Sequence, residues 1–266
     1  MKSGAFKKYG TKTLVYAFLI IVSFIAVFPL YWCLISAFNN TSQILGGRMI
    51  PSTHLLENLK NLFEQQDVWR ALWYSFRNAV VQVVLSMFVC SIAGYGFEVY
   101  HDKGKDFVMK ILMMAMMVPF VAILVPMFQM VSKFGLLNSM WGFVIPGIST
   151  PFLIMFFRNS ARSFPRDIIV AARVDGLNEF SIFIRIFIPT MRPTYAAAAT
   201  ITFMNAWNAY LWPKVVMQDA AYNTMPMLVS NLMSGYVVDY GMAMTGIAIC
   251  SLPTVIIEEL LEEMQR

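Results

Sequence analysis

Charged side chains are scarce in this sequence. Asp, Glu, Lys and Arg make up 13% of the 266 residues, 58% are hydrophobic, and the mean hydropathy is +0.62. A soluble globular domain has about twice that share of charged residues, so the composition argues against a soluble protein. Several apolar runs of about 20 residues predict helices that cross a membrane. Little sequence remains for a separate soluble domain, and residues 1–266 are predicted to form a single transmembrane domain.

Cysteine and histidine are also few, which argues against a metal site or a disulfide framework. The cysteines Cys33, Cys90 and Cys250 all lie in apolar runs, and no Cys-x-x-Cys occurs. His54 and His101 are far apart in predicted loops. Solvated loop histidines are therefore the simpler interpretation, and no metal site is expected.

The motifs of common catalytic sites are absent as well. A phosphate-binding loop needs G-x-x-x-x-G-K-[ST], but the spacing from Gly142 to Gly147 continues with Ile148. Neither G-x-S-x-G nor H-E-x-x-H occurs. We therefore expect that the chain is not an enzyme, holds no cofactor and does not hydrolyse ATP.

The apolar runs predict six membrane helices. The first is longer than the apolar region of a signal peptide, which spans about 7–15 residues, and no small-residue cleavage site follows it. We interpret it as a retained helix. Prolines lie inside several runs and predict kinks. The six helices are predicted over Leu14–Ser36, Tyr74–Phe97, Phe107–Val131, Trp141–Phe157, Pro193–Trp212 and Gly241–Leu261.

Basic residues predict the orientation of these helices. Of the 20 Lys and Arg residues, 14 lie near the N-terminus, around the loop 98–106, in the loop 158–192 and at the C-terminus. Because positively charged loops stay on the cytoplasmic side, both termini are predicted to be cytoplasmic. The loops 37–73 and 213–240 are then external. Helical spacing of apolar residues within 51–63 predicts a short amphipathic helix at the membrane surface.

A polar segment, residues 165–190, is unusual among the apolar runs. A proline precedes Arg166–Val174 and suits the first turn of a helix, and Gly176 is a natural helix terminator. Asn178 can cap a second helix, which becomes apolar and runs to Pro189. The pattern predicts two helices joined by a bend. From the residues alone, the bend is either an amphipathic loop on lipid headgroups or a docking element for a soluble partner.

This segment resembles the cytoplasmic signature of permease subunits in binding-protein-dependent ABC importers. The string Ala-Ala-Arg-Val-Asp-Gly at 171–176 is followed, at that family's spacing, by Phe180, Ile186, Pro189 and Pro193. Residues 203–213 read Phe-Met-Asn-Ala-Trp-Asn-Ala-Tyr-Leu-Trp-Pro. They resemble the fifth helix of the carbohydrate branch, which includes the maltose, lactose and glycerol-phosphate permeases.

The resemblance implies an all-α membrane protein with the type I ABC importer permease fold, about six transmembrane helices, and a place in the inner membrane of a bacterial or archaeal cell. It implies that the segment 165–190 docks on a cytoplasmic ATPase, which binds the ATP and Mg. The expected partners are a second related permease chain, two ATPases, an extracytoplasmic solute-binding protein near the loop 213–240, and membrane lipid, but no nucleic acid. The implied ATPase-coupling residues are Ala171, Ala172, Asp175, Gly176, Phe180 and Pro189.

Two features depart from the pattern of that family. Val170 stands where the family usually has a glutamate that contacts the ATPase, and Asp167 is the carboxylate three residues earlier. The chain also ends with four glutamates within 258–263 instead of a basic, glycine-containing tail. Because carboxylates are costly in lipid, the sixth helix is expected to end near Ile257.

Polar and aromatic residues late in the fifth predicted helix are candidates for a substrate path. Amides can hydrogen-bond to the hydroxyls of a sugar, and aromatic faces can stack on its C–H groups. Asn208 lies three residues after Asn205 and four before Trp212, so these three are predicted to share one helix face. The alternatives are an aromatic belt at the outer interface and asparagines that bond between helices. The candidates are Asn205, Trp207, Asn208 and Tyr210.

Three classes of function are possible for a membrane protein of this kind. The leading hypothesis is a permease subunit of an ATP-driven importer for a sugar or oligosaccharide, with another polar solute as the alternative. A secondary transporter would need inverted repeats and carboxylates inside the membrane, whereas Glu98 and Asp239 lie at the edges of predicted helices. A membrane scaffold that recruits a partner without transport is excluded only by the resemblance.

Overall fold

The computed structural model describes residues 3–263, with side chains over 12–260 except at 13 and 258. This range consists of helices joined by turns and loops, and it contains no strand. Short 3-10 turns occupy 145–147 and 220–222, and a π-helical turn occupies 183–187. The α-helices are, in chain order, α1 (Ser3–Ser36), α2 (Thr41–Leu45), α3 (Leu55–Gln65), α4 (Val68–Val99), α5 (Lys103–Ala115), α6 (Phe120–Lys133), α7 (Met140–Val144), α8 (Pro151–Arg162), α9 (Arg166–Val174), α10 (Glu179–Ile182), α11 (Ile188–Thr190), α12 (Arg192–Trp207), α13 (Leu211–Val216), α14 (Met225–Leu232) and α15 (Tyr240–Glu263).

The chain divides into two compact units. The first comprises the residues up to 66 together with 229–249, and the second comprises 67–228 together with the residues from 250 onward. The interpretation of residues 1–266 as one domain stays a prediction.

Helices occupy all six predicted membrane positions, but they differ in length. Within the described residues, three are long and apolar enough to cross a membrane without a break: Leu14–Ser36 in α1, Val68–Val99 in α4, and Tyr240–Ile257 in α15. The bent pairs α5–α6 and α7–α8 qualify if each pair counts as one span. The fifth position is held by α12, which has 16 residues.

The third and fourth predicted helices are each broken into two. α5 and α6 meet at an angle of 101°. Pro119 comes directly before α6, and without an N–H it cannot continue the hydrogen bonds of α5. Thr150 follows the break between α7 and α8 and caps the start of α8: its side chain accepts a hydrogen bond from the Leu153 N–H at 3.4 Å. The two halves of this pair differ in direction by 48°.

The fifth and sixth helices end at other residues than predicted. α12 ends at Trp207, and the cap residue Asn208 (φ −84°, ψ 1°) leaves the helix before Trp212. The prediction that Asn205, Asn208 and Trp212 share one helix face is therefore wrong. α15 continues to Glu263, although its apolar part ends at Ile257. A helix satisfies its own backbone hydrogen bonds, so it can extend beyond its apolar stretch.

The two predicted external loops also contain helices. α3 confirms the short helix expected near residues 51–63, with Leu62 buried and Leu56 exposed. The segment 213–240, predicted as a long polar loop, includes most of α13, a 3-10 turn and all of α14.

The first unit is held together by hydrogen bonds at the end of α1. Asn58 is buried and donates from Nδ2 to the carbonyl oxygens of Ala37 at 2.9 Å and of Asn39 at 3.0 Å. A Cβ atom at Gly241 would lie 2.6 Å from the Asn58 Oδ1. Only glycine therefore allows the start of α15 to approach this amide so closely.

The second unit is built around α4, which packs along α8 and α12. A Cβ atom at Gly94 would lie 2.6 Å from the Cβ of Phe157 and 2.7 Å from the backbone nitrogen of Arg158. The absence of a side chain at Gly94 thus permits α4 and α8 to touch. Cys90, Leu153 and Ala198 complete the buried contact among the three helices.

Candidate functional site

The segment 165–190 forms the predicted bend between two helices. α9 ends at Val174, and Gly176 adopts a left-handed conformation with φ +83°. The Gly176 N–H donates to the Arg173 carbonyl at 3.1 Å, and the Leu177 N–H donates to the Ala172 carbonyl at 3.0 Å. This pair of bonds is the Schellman motif, in which glycine is the favoured left-handed residue. The predicted role of Gly176 as helix terminator is confirmed.

The second arm of the bend begins at the predicted cap. The Asn178 Oδ1 accepts a hydrogen bond from the Ser181 N–H at 2.8 Å and so starts α10. The chain continues through the π-helical turn 183–187 into α11, where Pro189 is exposed. A π-helical turn is uncommon, and nothing in the local sequence predicted it.

An ion pair joins the two arms across the bend. The Nε and Nη2 atoms of Arg173 donate to the two carboxylate oxygens of Glu179 at 2.7 and 3.2 Å. The Arg173 guanidinium, with a hydrogen bond from Tyr100, holds the pKa of Glu179 below its usual range. A two-point contact of this kind fixes direction as well as distance, so it limits the angle between the arms.

The inner face of the bend is a small apolar core. Ile182, Phe183 and Phe187 of the second arm are buried there, and Tyr95 of α4 contacts the rings of Phe183 and Phe187 at centroid distances of 5.2 and 4.8 Å. Ala172 also lies in this core and is only 4% exposed. The small side chain of Ala172 therefore packs within the bend. Unlike the other predicted coupling residues, Ala172 does not lie on the surface.

The exposed side chains of the bend, which we call its outer face, include large apolar ones. Val174 is 82% exposed and Phe180 is 64% exposed. Ala171 and Asp175 are exposed beside them, and a Cβ atom at Gly176 would have no neighbour within 4 Å. Five of the six predicted coupling residues are thus accessible, namely Ala171, Asp175, Gly176, Phe180 and Pro189. The face has no carboxylate at position 170, where the exposed residue is a valine.

A cavity of about 660 Å³ lies elsewhere in the second unit. Two of the predicted path residues, Asn205 and Tyr210, line it. Gln82 from α4 and Thr150 at the start of α8 add two more polar groups. Sequence analysis missed both, because they come from distant helices and neither stands out in an apolar run. The aromatic residues in the wall are Phe120, Phe143, Tyr210 and Trp212.

The other two predicted path residues lie outside this cavity. Trp207 is 1% exposed, and its Nε1–H donates to the Cys250 carbonyl at 3.0 Å. It also stacks on Phe203 at a centroid distance of 5.8 Å, so it is packed between helices. Asn208 is exposed and is not among the lining residues. The structure therefore brings Asn205 and Tyr210 together and separates them from Trp207 and Asn208.

Sequence relatives match this chain over most of their length. The lactose transport system permease protein LacG of Rhizobium radiobacter is 40% identical over 242 residues, which cover 91% of this chain and 89% of the relative. The arabinooligosaccharides transport system permease protein AraQ of Bacillus subtilis is 31% identical, with 90% and 87% of the two chains covered.

A solved structure has the same fold. A chain of a bacterial ABC transporter involved in the import of the acidic polysaccharide alginate superposes with a TM-score of 0.85 at 18% identity, over 99% of this chain and 98% of the other. This likeness confirms the predicted all-α fold of a type I ABC importer permease.

A family model described as the binding-protein-dependent transport system inner membrane component matches residues 91–263. The match contains both the bend at Gly176 and the residues that follow it through α15. The earlier resemblance is confirmed, and the chain belongs to the family of binding-protein-dependent transport system inner membrane components.

Proposed function

We propose that this chain forms half of the translocation path of an ATP-driven importer for a sugar or oligosaccharide, in the inner membrane of a bacterial or archaeal cell. A second, related permease chain supplies the other half. An extracytoplasmic solute-binding protein delivers the sugar on the side of the segment 213–240. The relatives named for lactose and arabinooligosaccharides support this class of substrate.

The residues that line the cavity are suited to a polar but uncharged substrate. Its polar groups are the amides of Asn205 and Gln82, the hydroxyl of Thr150 and the phenol of Tyr210, and its described lining contains no Asp, Glu, Lys or Arg. Amides and hydroxyls can replace the hydration of sugar hydroxyl groups, whereas a buried carboxylate or phosphate needs a cation beside it. We therefore favour a neutral sugar over an acidic one.

Energy for import comes from two partner ATPases, which bind the ATP and Mg, while this chain holds no cofactor. The observation that supports this coupling is the exposure of large apolar side chains on the outer face of the bend, where Val174 is 82% exposed and Phe180 is 64% exposed. Large exposed apolar side chains grouped on one face mark interaction sites. We place the ATPase against this face, with Ala171, Asp175 and Gly176 within the contact and Pro189 on the second arm.

The test is co-purification of the tagged chain from native membranes. Val174→Arg puts a charge in the centre of the proposed contact, and we expect the ATPase to be lost from the purified complex. Val237→Arg is the matched control, because Val237 is 85% exposed but lies in the segment 213–240, on the opposite side of the membrane in this proposal. Loss of the ATPase in both variants, or in neither, would contradict the assignment of the docking face.

A further inference from the structure

Glu98 occupies a position that is unfavourable for a carboxylate on its own. It lies in the last turn of α4, where the negative end of the helix dipole disfavours an acidic side chain. Its side chain is also only 7% exposed, and burial of an unpaired charge is costly. Such a residue persists in a fold only if its surroundings compensate the charge.

Three arginines supply that compensation. Arg158 of α8, which is equally buried, donates from Nε to the Glu98 carboxylate at 3.4 Å. Arg166, the first residue of α9, donates from Nη2 at 3.4 Å. Arg162, the last residue of α8, lies 3.7 Å from the same carboxylate. The carboxylate thus links α4 to α8 and also to the helix that begins the bend.

The cluster extends further through Arg158, whose Nη2 donates to Asp106 of α5. His101 lies 2.9 Å from the other oxygen of that carboxylate. Two carboxylates, three arginines and one histidine therefore form one connected cluster, and Glu98 is its only described link to α9. Arg158 holds α4, α5 and α8 together, whereas Arg166 alone extends the cluster to the bend.

The end of α4 contacts both arms of the bend. Glu98 bonds to Arg166 in the first arm, and Tyr95, one turn earlier, packs on Phe183 and Phe187 in the second. Tyr100, which caps α4, contributes a hydrogen bond to Glu179. When a bound ATPase displaces the bend, these contacts would pull on the end of α4. The same helix carries Gln82 into the wall of the cavity.

We propose that Glu98 is a positioning residue for energy coupling: through Arg166 it clamps the ATPase-docking bend to α4, so that movement of the bend reaches the membrane helices. This inference rests on the proposed function. From the sequence alone, Glu98 is only a carboxylate at the edge of a predicted helix.

The test compares two arginines that share this carboxylate. Arg166→Gln breaks the link to α9, whereas Arg162→Gln removes a similarly exposed arginine (71% against 64%) from α8 and leaves the link intact. Both variants keep the buried pair of Glu98 and Arg158, so both are expected to fold. Glu98→Gln removes the link at its other end, and Arg166→Lys should partly restore coupling.

The readout is the response of the cavity to ATP in the purified full complex with its binding protein. Ala209, which lines the cavity, is replaced by cysteine in a chain whose three native cysteines are changed to alanine. A maleimide reagent then labels this position with and without ATP and vanadate. We expect Arg166→Gln to reduce the ATP-dependent change in labelling rate by about twofold to thirtyfold, while the ATPase still co-purifies and still hydrolyses ATP.

Three results separate the possibilities. Equal losses in Arg166→Gln and Arg162→Gln would mean that the cluster only stabilises the fold, and the inference would be overturned. A normal response in both Arg166→Gln and Glu98→Gln would overturn it as well. If the unmodified chain recruits no ATPase, the proposed function fails instead, and it fails before any variant is compared.

Discussion

Gly176 offers a quantitative test of the bend. Its φ of +83° is left-handed, and a Cβ atom there would meet no neighbour within 4 Å. Gly176→Ala therefore adds backbone strain but no steric clash. The left-handed conformation costs an L-residue about 1–2 kcal/mol, so the closed bend should lose about that much stability.

The Leu177 amide reports this loss directly, because its N–H donates to the Ala172 carbonyl only while the motif is closed. A cost of about 1–2 kcal/mol corresponds to hydrogen exchange that is about 5 to 30 times faster. Gly176→Asn is the matched control, because asparagine tolerates the left-handed region better than alanine. It should accelerate exchange less than alanine does.

Two outcomes would refute this reasoning. Unchanged exchange in Gly176→Ala would mean that the motif does not depend on a left-handed residue. Equal acceleration by alanine and asparagine would mean that an added side chain, and not backbone strain, opens the bend.

Three further predictions follow from the second unit. The first concerns Gly94→Ala, which should destabilise the protein by about 1–3 kcal/mol because the added Cβ atom would clash with α8. Gly96→Ala should be neutral or stabilising, because a Cβ atom there meets nothing within 4 Å. Thermal unfolding in detergent measures both effects. Asn205→Leu, inside the cavity, should reduce uptake of a radiolabelled sugar that the unmodified reconstituted complex imports, and should do so more than Asn208→Leu, outside it. Equal effects would contradict the assigned path. Because the folded pKa of Glu179 is depressed, its ion pair stabilises the bend above the usual carboxyl range and is lost as the pH falls through the folded pKa. The protection of the bend amides, measured relative to the intrinsic exchange rate at each pH, should therefore fall in acid, and Glu179→Gln should remove that dependence.

Local signals predicted the bend well. Gly176 and Asn178 act on backbone groups within three or four residues, and such effects can be read from a short stretch of sequence. The burial of Ala172 could not be read in this way. The two alanines look equivalent in the sequence, but only Ala172 is buried in the core that also contains Tyr95, which lies far away in the chain.

Contacts between distant segments explain what the sequence did not reveal. Glu98 appeared to be an edge residue because Arg158, its buried partner, lies 60 positions later. Gln82 belongs to the candidate site because α4 lies beside the turn before α8. A Cβ atom at Gly147, in that turn, would lie 2.3 Å from the Gln82 Nε2. The bend of 101° between α5 and α6 likewise exceeds the kink that a proline inside an apolar run predicts.

Cross-linking at Val174 tests most directly whether the bend docks on an ATPase. A photoreactive phenylalanine analogue at this position, 82% exposed, is activated in intact cells, and its adducts are identified by mass spectrometry. We expect a covalent adduct with an ATPase subunit, and none with that subunit when the same residue replaces Val237. Adducts with lipid alone at position 174 would contradict the account and show that the bend rests on the membrane surface.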